Sequence, residues 1–257
     1  MTTISDNRLL VVERFMRNVY GKRADVTGSN ANHDGSEGHW LERQMGIQAN
    51  RDNSPDLFGF EMKNDTSSKT TFGDWSASYY LYNNQKAGIS RDEFIKIFGK
   101  PNPKKNNRPS WSGTPIPTIN RPSIYNGSRM EVNVFGDIHI IYDYSLDPRE
   151  NKERIIPENL KVDNLTLACW TANSLREKLL RKFGVNGWFK CYKNDMGVYS
   201  RIAFGNPITF ESWINHVKDG SVFFDSGMYM GNSRNYSQWR ANNSYWEQLI
   251  TITYPEL

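Results

Sequence analysis

The chain has 257 residues, 32 Lys and Arg against 28 Asp and Glu for a net charge of +4, and a hydrophobic fraction of 37%, enough to bury a substantial core in one large domain or two intimate lobes. No apolar run approaches a membrane span, and the two cysteines, Cys169 and Cys191, lack metal-ligand spacing, which excludes a membrane protein, a disulfide scaffold and a zinc cage. With no secretion signal visible, the expectation is a cytoplasmic protein with reduced, buried thiols, whose mildly basic balance permits nucleic-acid binding.

Residues 5 to 20 predict a helix, with Leu9, Val12, Phe15, Met16 and Val19 recurring at helical spacing as its core face. Arg23 to Glu37, rich in Gly, Ser, Asn and Asp, reads as a loop. Gly38 to Met45 predicts a short helix with Trp40, Leu41 and Met45 on one side and Gly46 near its end, carrying Glu42 close to the next strand. Phe58-Gly59-Phe60-Glu61-Met62-Lys63 predicts that strand, in which Glu61 and Lys63 share a face with Gly59, while Phe58, Phe60 and Met62 bury the other. Asp56 lies just before it, where its carboxylate can turn back towards Glu61.

That spacing has a chemical meaning. Hydrolysing a phosphodiester at neutral pH needs a hard cation, usually Mg²⁺, to offset phosphate charge and lower the pKa of a bound water. Asp56 and Glu61, with the Met62 carbonyl, supply such a site, and Lys63 is placed to hold or activate the attacking water. The segment DPRENK sets Asp147, Glu150 and Lys152 in a similar order, but it has no apolar partner face and reads as a solvated loop. The four histidines are scattered without zinc-like spacing.

Thr70 to Leu81 reads as further strand, with Lys69 at its start. Ser90-Arg91-Asp92-Glu93 is a capping box for a helix whose apolar face is Phe94, Ile97 and Phe98. Lys100 to Arg121, rich in Pro, Asn and basic residues, predicts an ordered extended loop headed by Lys104, Lys105 and Arg108. Met130 to Phe135 and Ile138 to Tyr144 form a hairpin signal about Gly136-Asp137, and Leu165 to Trp170 reads as a buried strand. Ser174 to Phe183 predicts a helix with Leu175, Leu179, Leu180 and Phe183 inward. A second hairpin comes next, Trp188 to Tyr192 and Val198 to Phe204, then a helix capped by Thr209 that bears Phe210, Trp213, Ile214 and Val217 and stops at Gly220. Ser226 to Arg240 mixes Gly, Asn, Ser, Arg, Tyr and Gln, and a terminal helix is expected around Tyr245 to Leu249.

GHWLERQMGIQ, residues 38–48, followed by PDLFGFEMK, residues 55–63, resembles the active-site region of the MvaI/BcnI family of Type II restriction endonucleases, related in fold to the mismatch-repair nicking enzyme MutH and part of the wider PD-(D/E)XK nucleases. SRDEFIKIFGK and the segment around Arg240 are similar as well. The family carries His in that C-terminal segment where Tyr236, Ser237 and Gln238 stand here, so its base recognition does not transfer.

The resemblance implies an α/β PD-(D/E)XK fold with a mixed central β-sheet flanked by helices. It implies a single nuclease domain over residues 1–257 in two lobes about a DNA-binding cleft, with the catalytic core around 36–100 and recognition elements mainly in 100–125 and 220–245. Asp56 and Glu61, with Met62, match the metal ligands, Lys63 the catalytic lysine and Glu42 the helix glutamate beside the metal. The implied activity is Mg²⁺-dependent cutting of double-stranded DNA at a short pseudosymmetric site, leaving 5′-phosphate and 3′-hydroxyl ends, with Mn²⁺ able to substitute. The enzyme would act as a monomer and have a cognate DNA methyltransferase as genetic partner. Lys69, Lys104, Lys105 and Arg108 are expected on the DNA backbone, and Arg234 and Arg240, with Tyr236 and Gln238, at base edges. Two other functions fit the same residues: a strand-specific nicking enzyme, and a DNA-binding protein with an inactive nuclease fold.

Overall fold

The structure, a computed structural model, describes residues 4–27, 36–48 and 54–255. Most of the loop expected over 23–37 lies outside the described residues. The chain forms two compact units, one from Met1–Thr70, Glu177–Phe210 and Asn242–Leu257, the other from Thr71–Arg176 and Glu211–Ala241. Strands β1–β14 and helices α1–α7 are numbered along the chain.

The first unit is built on a four-stranded mixed sheet in the order β1 (Glu61–Asn64), β9 (Trp188–Lys193), β10 (Tyr199–Gly205), β14 (Ile250–Tyr254). β1 runs parallel to β9, a pairing that requires a long crossover, which here ends in α5 (Ala172–Phe183). β9 and β10 form the expected hairpin, with Gly197 at φ +73 in its turn. β14 then pairs antiparallel with β10, a strand not anticipated from the sequence.

Period-two alternation divides the faces of this sheet. Met62, opposite Phe189, joins Cys191, Tyr199, Ile202 and Phe204 in one buried cluster with Val11 and Phe15 of α1 (Ile4–Asn18), Val19 just after it, and Trp40, Leu41 and Met45 of α2 (Ser36–Met45). Glu61, opposite Trp188, and Lys63, opposite Lys190, take the other face, near Phe183 of α5 and Trp246 of α7 (Asn243–Gln248). Side chains of α1 secure the end of α2: Arg14 Nη1 donates to the Met45 carbonyl at 2.9 Å and Asn18 Nδ2 to that of Gln44 at 3.0 Å.

Three expectations change here. On α1 the buried stripe is Val11, Phe15 and Val19, while Leu9 and Met16 are exposed; the helix is rotated by about one position, so that an i, i+4, i+8 row meets α2. Leu180 of α5 is exposed rather than inward. The strand starts at Glu61, not Phe58, because Phe58 (φ +48) and Gly59 (φ +83) form the centre of a tight turn closed by paired hydrogen bonds between Leu57 and Phe60. Positive φ at both central residues is the type I′ pattern, and it leaves Phe58 exposed while Phe60 and Met62 remain buried.

The second unit carries three sheets. β3 (Tyr79–Tyr80), β8 (Leu165–Trp170), β7 (Ile138–Tyr142) and β6 (Ser128–Val132) form an antiparallel meander in that order. β11 (Val222–Ser226), β13 (Ser237–Asn242) and β2 (Lys69–Asp74) form a second sheet, and β12 (Met228–Tyr229), β5 (Arg108–Trp111) and β4 (Lys100–Asn102) a third. The helices are α3 (Arg91–Phe98), α4 (Lys152–Ile155) and α6 (Phe210–Lys218). The capping box of α3 is present, with Ser90 and Glu93 bonded reciprocally. Trp75, Trp111, Trp170, Trp213 and Trp239 are fully buried, with Trp239 edge-on to Trp170 and Trp213. Such pairs add about 0.5–1.5 kcal/mol each beyond area burial.

Two loop expectations are also corrected. The segment Lys100 to Arg121 begins with a hairpin of β4 and β5, because Asn106 (φ +52) and Asn107 (φ +54) tolerate the left-handed turn. Asp147 is not solvated: it is buried, 2.6 Å from Arg149 Nη2, and accepts from the Tyr142 hydroxyl at 2.8 Å, while Glu150 stays exposed. Both cysteines are free, Cys191 buried and Cys169 half-buried. Among the described residues no helix is long and apolar enough to cross a membrane.

Candidate active site

The turn before β1 is clamped from the segment preceding β9. Asn186 Nδ2 donates to the Phe58 carbonyl at 2.8 Å, the Asn186 N–H to that of Gly59 at 3.1 Å, and the Glu61 N–H to that of Gly187 at 3.0 Å. A Cβ on Gly59 would lie 2.7 Å from Asn186 Nδ2, so both its φ and its neighbour require glycine. These bonds fix where the chain turns back and where β1 begins. As a result Asp56, on the incoming arm, reaches the start of the strand: the Met62 N–H donates to Asp56 Oδ2 at 2.9 Å.

Glu61 and Lys63 are both buried, at 3% and 5% exposure, so neither charge is left to water. Lys63 Nζ lies 2.8 Å from Glu61 Oε1 and faces the rings of Phe183 and Trp246 at 5.2 and 5.9 Å. A second ammonium, that of Lys182 on α5, lies 3.0 Å from the same oxygen. Glu61 Oε2 is buried and has no hydrogen-bond partner. An ionised oxygen left in that state is costly unless something else approaches it.

The electrostatics of Asp56 agree. Burial, then the neighbouring Glu61 charge, push its pKa from the usual 3.8 to about 7, against the opposing pull of the Met62 N–H and of Lys63 and Lys182. Burial lowers the pKa of Lys63, with Glu61 opposing. Two carboxylates beside one another, one with an open buried oxygen and the other driven towards its neutral form, suit a hard divalent cation that would relieve both. Among the described residues no three His, Cys, Asp or Glu side chains gather as a metal cage. That does not count against Mg²⁺, which is held by one or two carboxylates and keeps several waters. Glu42 is half-buried on α2 and is not drawn into a three-acid group with Asp56 and Glu61.

Asp56, Glu61 and Lys63, expected together from their spacing, are brought together by the structure. Lys182 was not expected. A signal was present, because Lys182 follows Leu175 and Leu179 at i+7 and i+3 and so occupies a position on the buried stripe of α5.

Lys69 is half-buried at the start of β2. In the second unit, Lys104 and Lys105 are exposed at the tip between β4 and β5. Arg108 lies with its guanidinium carbon 3.5 Å from the Tyr229 ring centroid. Arg234 lies over Tyr236 at 4.4 Å and pairs with Asp74 at 2.8 Å. Gln238 and Arg240 lie on one face of β13, opposite the buried Ser237, Trp239 and Ala241. Arg240 bonds the Gln238 side-chain carbonyl and lies 3.3 Å from Asp225 Oδ2. Of the four residues expected at base edges, Gln238 and Arg240 lie on β13, and Arg234 and Tyr236 in the segment before it.

A family model described as LlaMI restriction endonuclease matches residues 19–254. The Type II restriction enzyme ScrFI of Lactococcus lactis subsp. cremoris is 48% identical over 268 residues, covering 96% of this chain and 98% of that one. Among solved structures, restriction endonuclease MvaI in complex with its cognate DNA substrate is similar with a TM-score of 0.60 at 15% identity, covering 96% of each chain. MvaI in the absence of DNA gives 0.50 at 15% identity over 98% of each. At that identity the structural likeness speaks for the fold, a mixed central sheet flanked by helices.

Proposed function

The chain belongs to the LlaMI restriction endonuclease family, with the MvaI/BcnI-like Type II enzymes of the PD-(D/E)XK superfamily, and is a sequence-specific DNA-cleaving nuclease; from that premise we propose that Asp56, Glu61 and Lys63 carry its catalysis. The observation that carries the proposal is Glu61, with one oxygen held by two lysines and the other buried and unpartnered, and with its charge felt by Asp56.

Asp56, Glu61 and the Met62 carbonyl would hold Mg²⁺, with Mn²⁺ able to replace it and Glu42 supporting its water shell. When bound, the ion supplies charge neutralisation at the phosphate and a water of lowered pKa. Lys63 directs a water at the scissile phosphorus, and its aromatic surroundings exclude competing solvent. Lys182 joins Lys63 in holding Glu61 Oε1, which leaves Oε2 open. In-line attack leaves a 5′-phosphate and a 3′-hydroxyl.

Double-stranded DNA is the substrate, cut at a short pseudosymmetric site. The first unit does the chemistry and adds Lys69 as a phosphate contact; the second reads the sequence, with Lys104, Lys105 and Arg108 on phosphates and Arg234, Tyr236, Gln238 and Arg240 at bases. The protein acts as a monomer in the cytoplasm, and a cognate methyltransferase protects the host's own sites. A Mg²⁺-dependent digest of a sequenced plasmid, with ends mapped by run-off sequencing, tests this. Discrete double-strand cuts at one motif support it; open circles without linear product would replace it with strand-specific nicking, and intact plasmid under tight binding with an inactive DNA-binding protein.

A further inference from the structure

Tyr229, Tyr236, Gln238, Arg240, Asp225 and Gly227 border an open-mouthed hollow of about 300 Å³ within the second unit, at the small end of ligand-pocket sizes. The Tyr229 and Tyr236 rings are parallel within 15° and their centroids are 6.4 Å apart. Rings so disposed offer parallel aromatic faces to a flat ligand. Each ring carries a guanidinium over a face, Arg108 on Tyr229 and Arg234 on Tyr236, which steadies it.

The polar wall offers both kinds of hydrogen-bonding group. Asp225 is an acceptor, the Gln238 side-chain amide a donor, and Arg240 Nε is a buried donor without a partner, although the rest of that guanidinium is engaged by Asp225 and Gln238. The edge of a nucleobase presents donors and acceptors side by side and needs such a mixture.

The wall is also built in advance. Arg91 donates to the Asn235 side chain and the Arg234 carbonyl at 2.8 Å each and to the Tyr229 carbonyl at 3.3 Å. Asp92 accepts from the Gly231 N–H, and Asp74 from the Ser237 N–H at 2.7 Å. Gly227 lets Tyr236 close in, since a Cβ there would lie 3.1 Å from Tyr236 Cβ. A loop that merely followed a groove would have no need of so many internal ties.

We propose that this hollow holds one DNA base swung out of the duplex, stacked on Tyr229 and Tyr236 and bonded at its edge by Gln238, Arg240 and Asp225. The proposal rests on the base-reading role of β13, and goes beyond it in naming an extrahelical base rather than a groove edge. Extrusion costs unpairing and unstacking energy, which a mismatch has already lost.

The test measures binding of the full chain, in chelator so that nothing is cut, to duplexes carrying one mismatch at each position of the site mapped from the plasmid digest. At one position the mismatch should tighten binding fivefold or more. Tyr236→Ala should abolish that gain, and Tyr236→Phe, which keeps the ring, should retain it. Mismatches that weaken or leave binding unchanged at every position, or a gain that survives Tyr236→Ala, overturn the extrahelical pocket while leaving groove reading intact. Failure to prefer the intact site over a scrambled duplex overturns the base-reading role itself, and the pocket with it.

Discussion

Replacing Asp56 with Asn should make the metal-free protein more stable at alkaline pH, the reverse of what most buried substitutions do. Folding raises the Asp56 pKa from 3.8 to about 7. A carboxyl whose pKa rises on folding binds its proton more tightly in the native chain. Its stabilising contribution is therefore complete below the unfolded value, and it is lost as pH rises through about 7. A rise of that size corresponds to about 4 kcal/mol at 1.36 kcal/mol per pKa unit. The side chain is only partly buried, and solvent screening brings this to about 2 kcal/mol. Asn keeps an oxygen for the Met62 N–H and carries no charge towards Glu61. At pH 8 in chelator the variant should melt about 4–8 °C above wild type, at roughly 2–4 °C per kcal/mol for a chain of this size. The gap should shrink towards pH 4. Mg²⁺ should raise the wild-type melting temperature and move that of Asp56→Asn little, because binding to the native state stabilises it in proportion to affinity. Differential scanning fluorimetry across pH, with and without Mg²⁺, measures both effects. An Asn variant that melts at or below wild type at pH 8 in chelator would refute the idea that Asp56 is held there against its charge.

Three further outcomes are expected. Lys182→Met should lower single-turnover cleavage about tenfold or more with KM little changed, because one charge-assisted bond to Glu61 is worth about 1.5–3 kcal/mol and the substrate does not depend on it for binding. Arg240→Ala should weaken binding to the cognate duplex by about 1–3 kcal/mol in a competition assay while binding to scrambled DNA changes little. Asp147→Asn should cost about 3 kcal/mol in a denaturant titration, because Arg149 is left buried without its partner, yet cleavage per folded molecule should be unchanged.

The parts of the fold that were legible are those in which local chemistry and tertiary packing agree. Ser90 and Glu93 cap α3 in the structure as in the pattern, and the Asn194–Gly197 turn joins β9 to β10 because a glycine at φ +73 is built into it. Where packing decides, the pattern misleads. On α1 the set Leu9, Val12, Phe15, Met16, Val19 forms an apolar stripe of ordinary width, yet packing in the core cluster buries Val11, Phe15 and Val19 and leaves Leu9 and Met16 exposed. Phe58-Gly59 reads as strand by composition and becomes a turn because Asn186, distant in sequence, bonds to its carbonyls. β14 carries alternating Ile and Thr and was open to detection, but it comes directly after a short helix whose apolar pattern runs into it.

The candidate site divides in the same way. Asp56, Glu61 and Lys63 lie within eight residues, so the turn and the strand period bring them together without help from elsewhere. Lys182 comes from a helix after a long excursion of the chain, and nothing local says which carboxylate a lysine on a buried stripe will meet. The same holds for Asp225 and Arg240, which are neighbours through the pairing of β11 with β13.

The central claim is that Lys63, held against Glu61 on β1, acts in the chemical step. Single-turnover cleavage of a duplex bearing the mapped site, by wild type and by Lys63→Ala with Mg²⁺ present and with binding measured in parallel, tests it most directly. Lys63→Ala should bind the duplex as wild type does and cleave it at least a hundredfold more slowly at every Mg²⁺ concentration. Cleavage by Lys63→Ala within a few fold of wild type, or a loss of cleavage matched by an equal loss of binding, would contradict it.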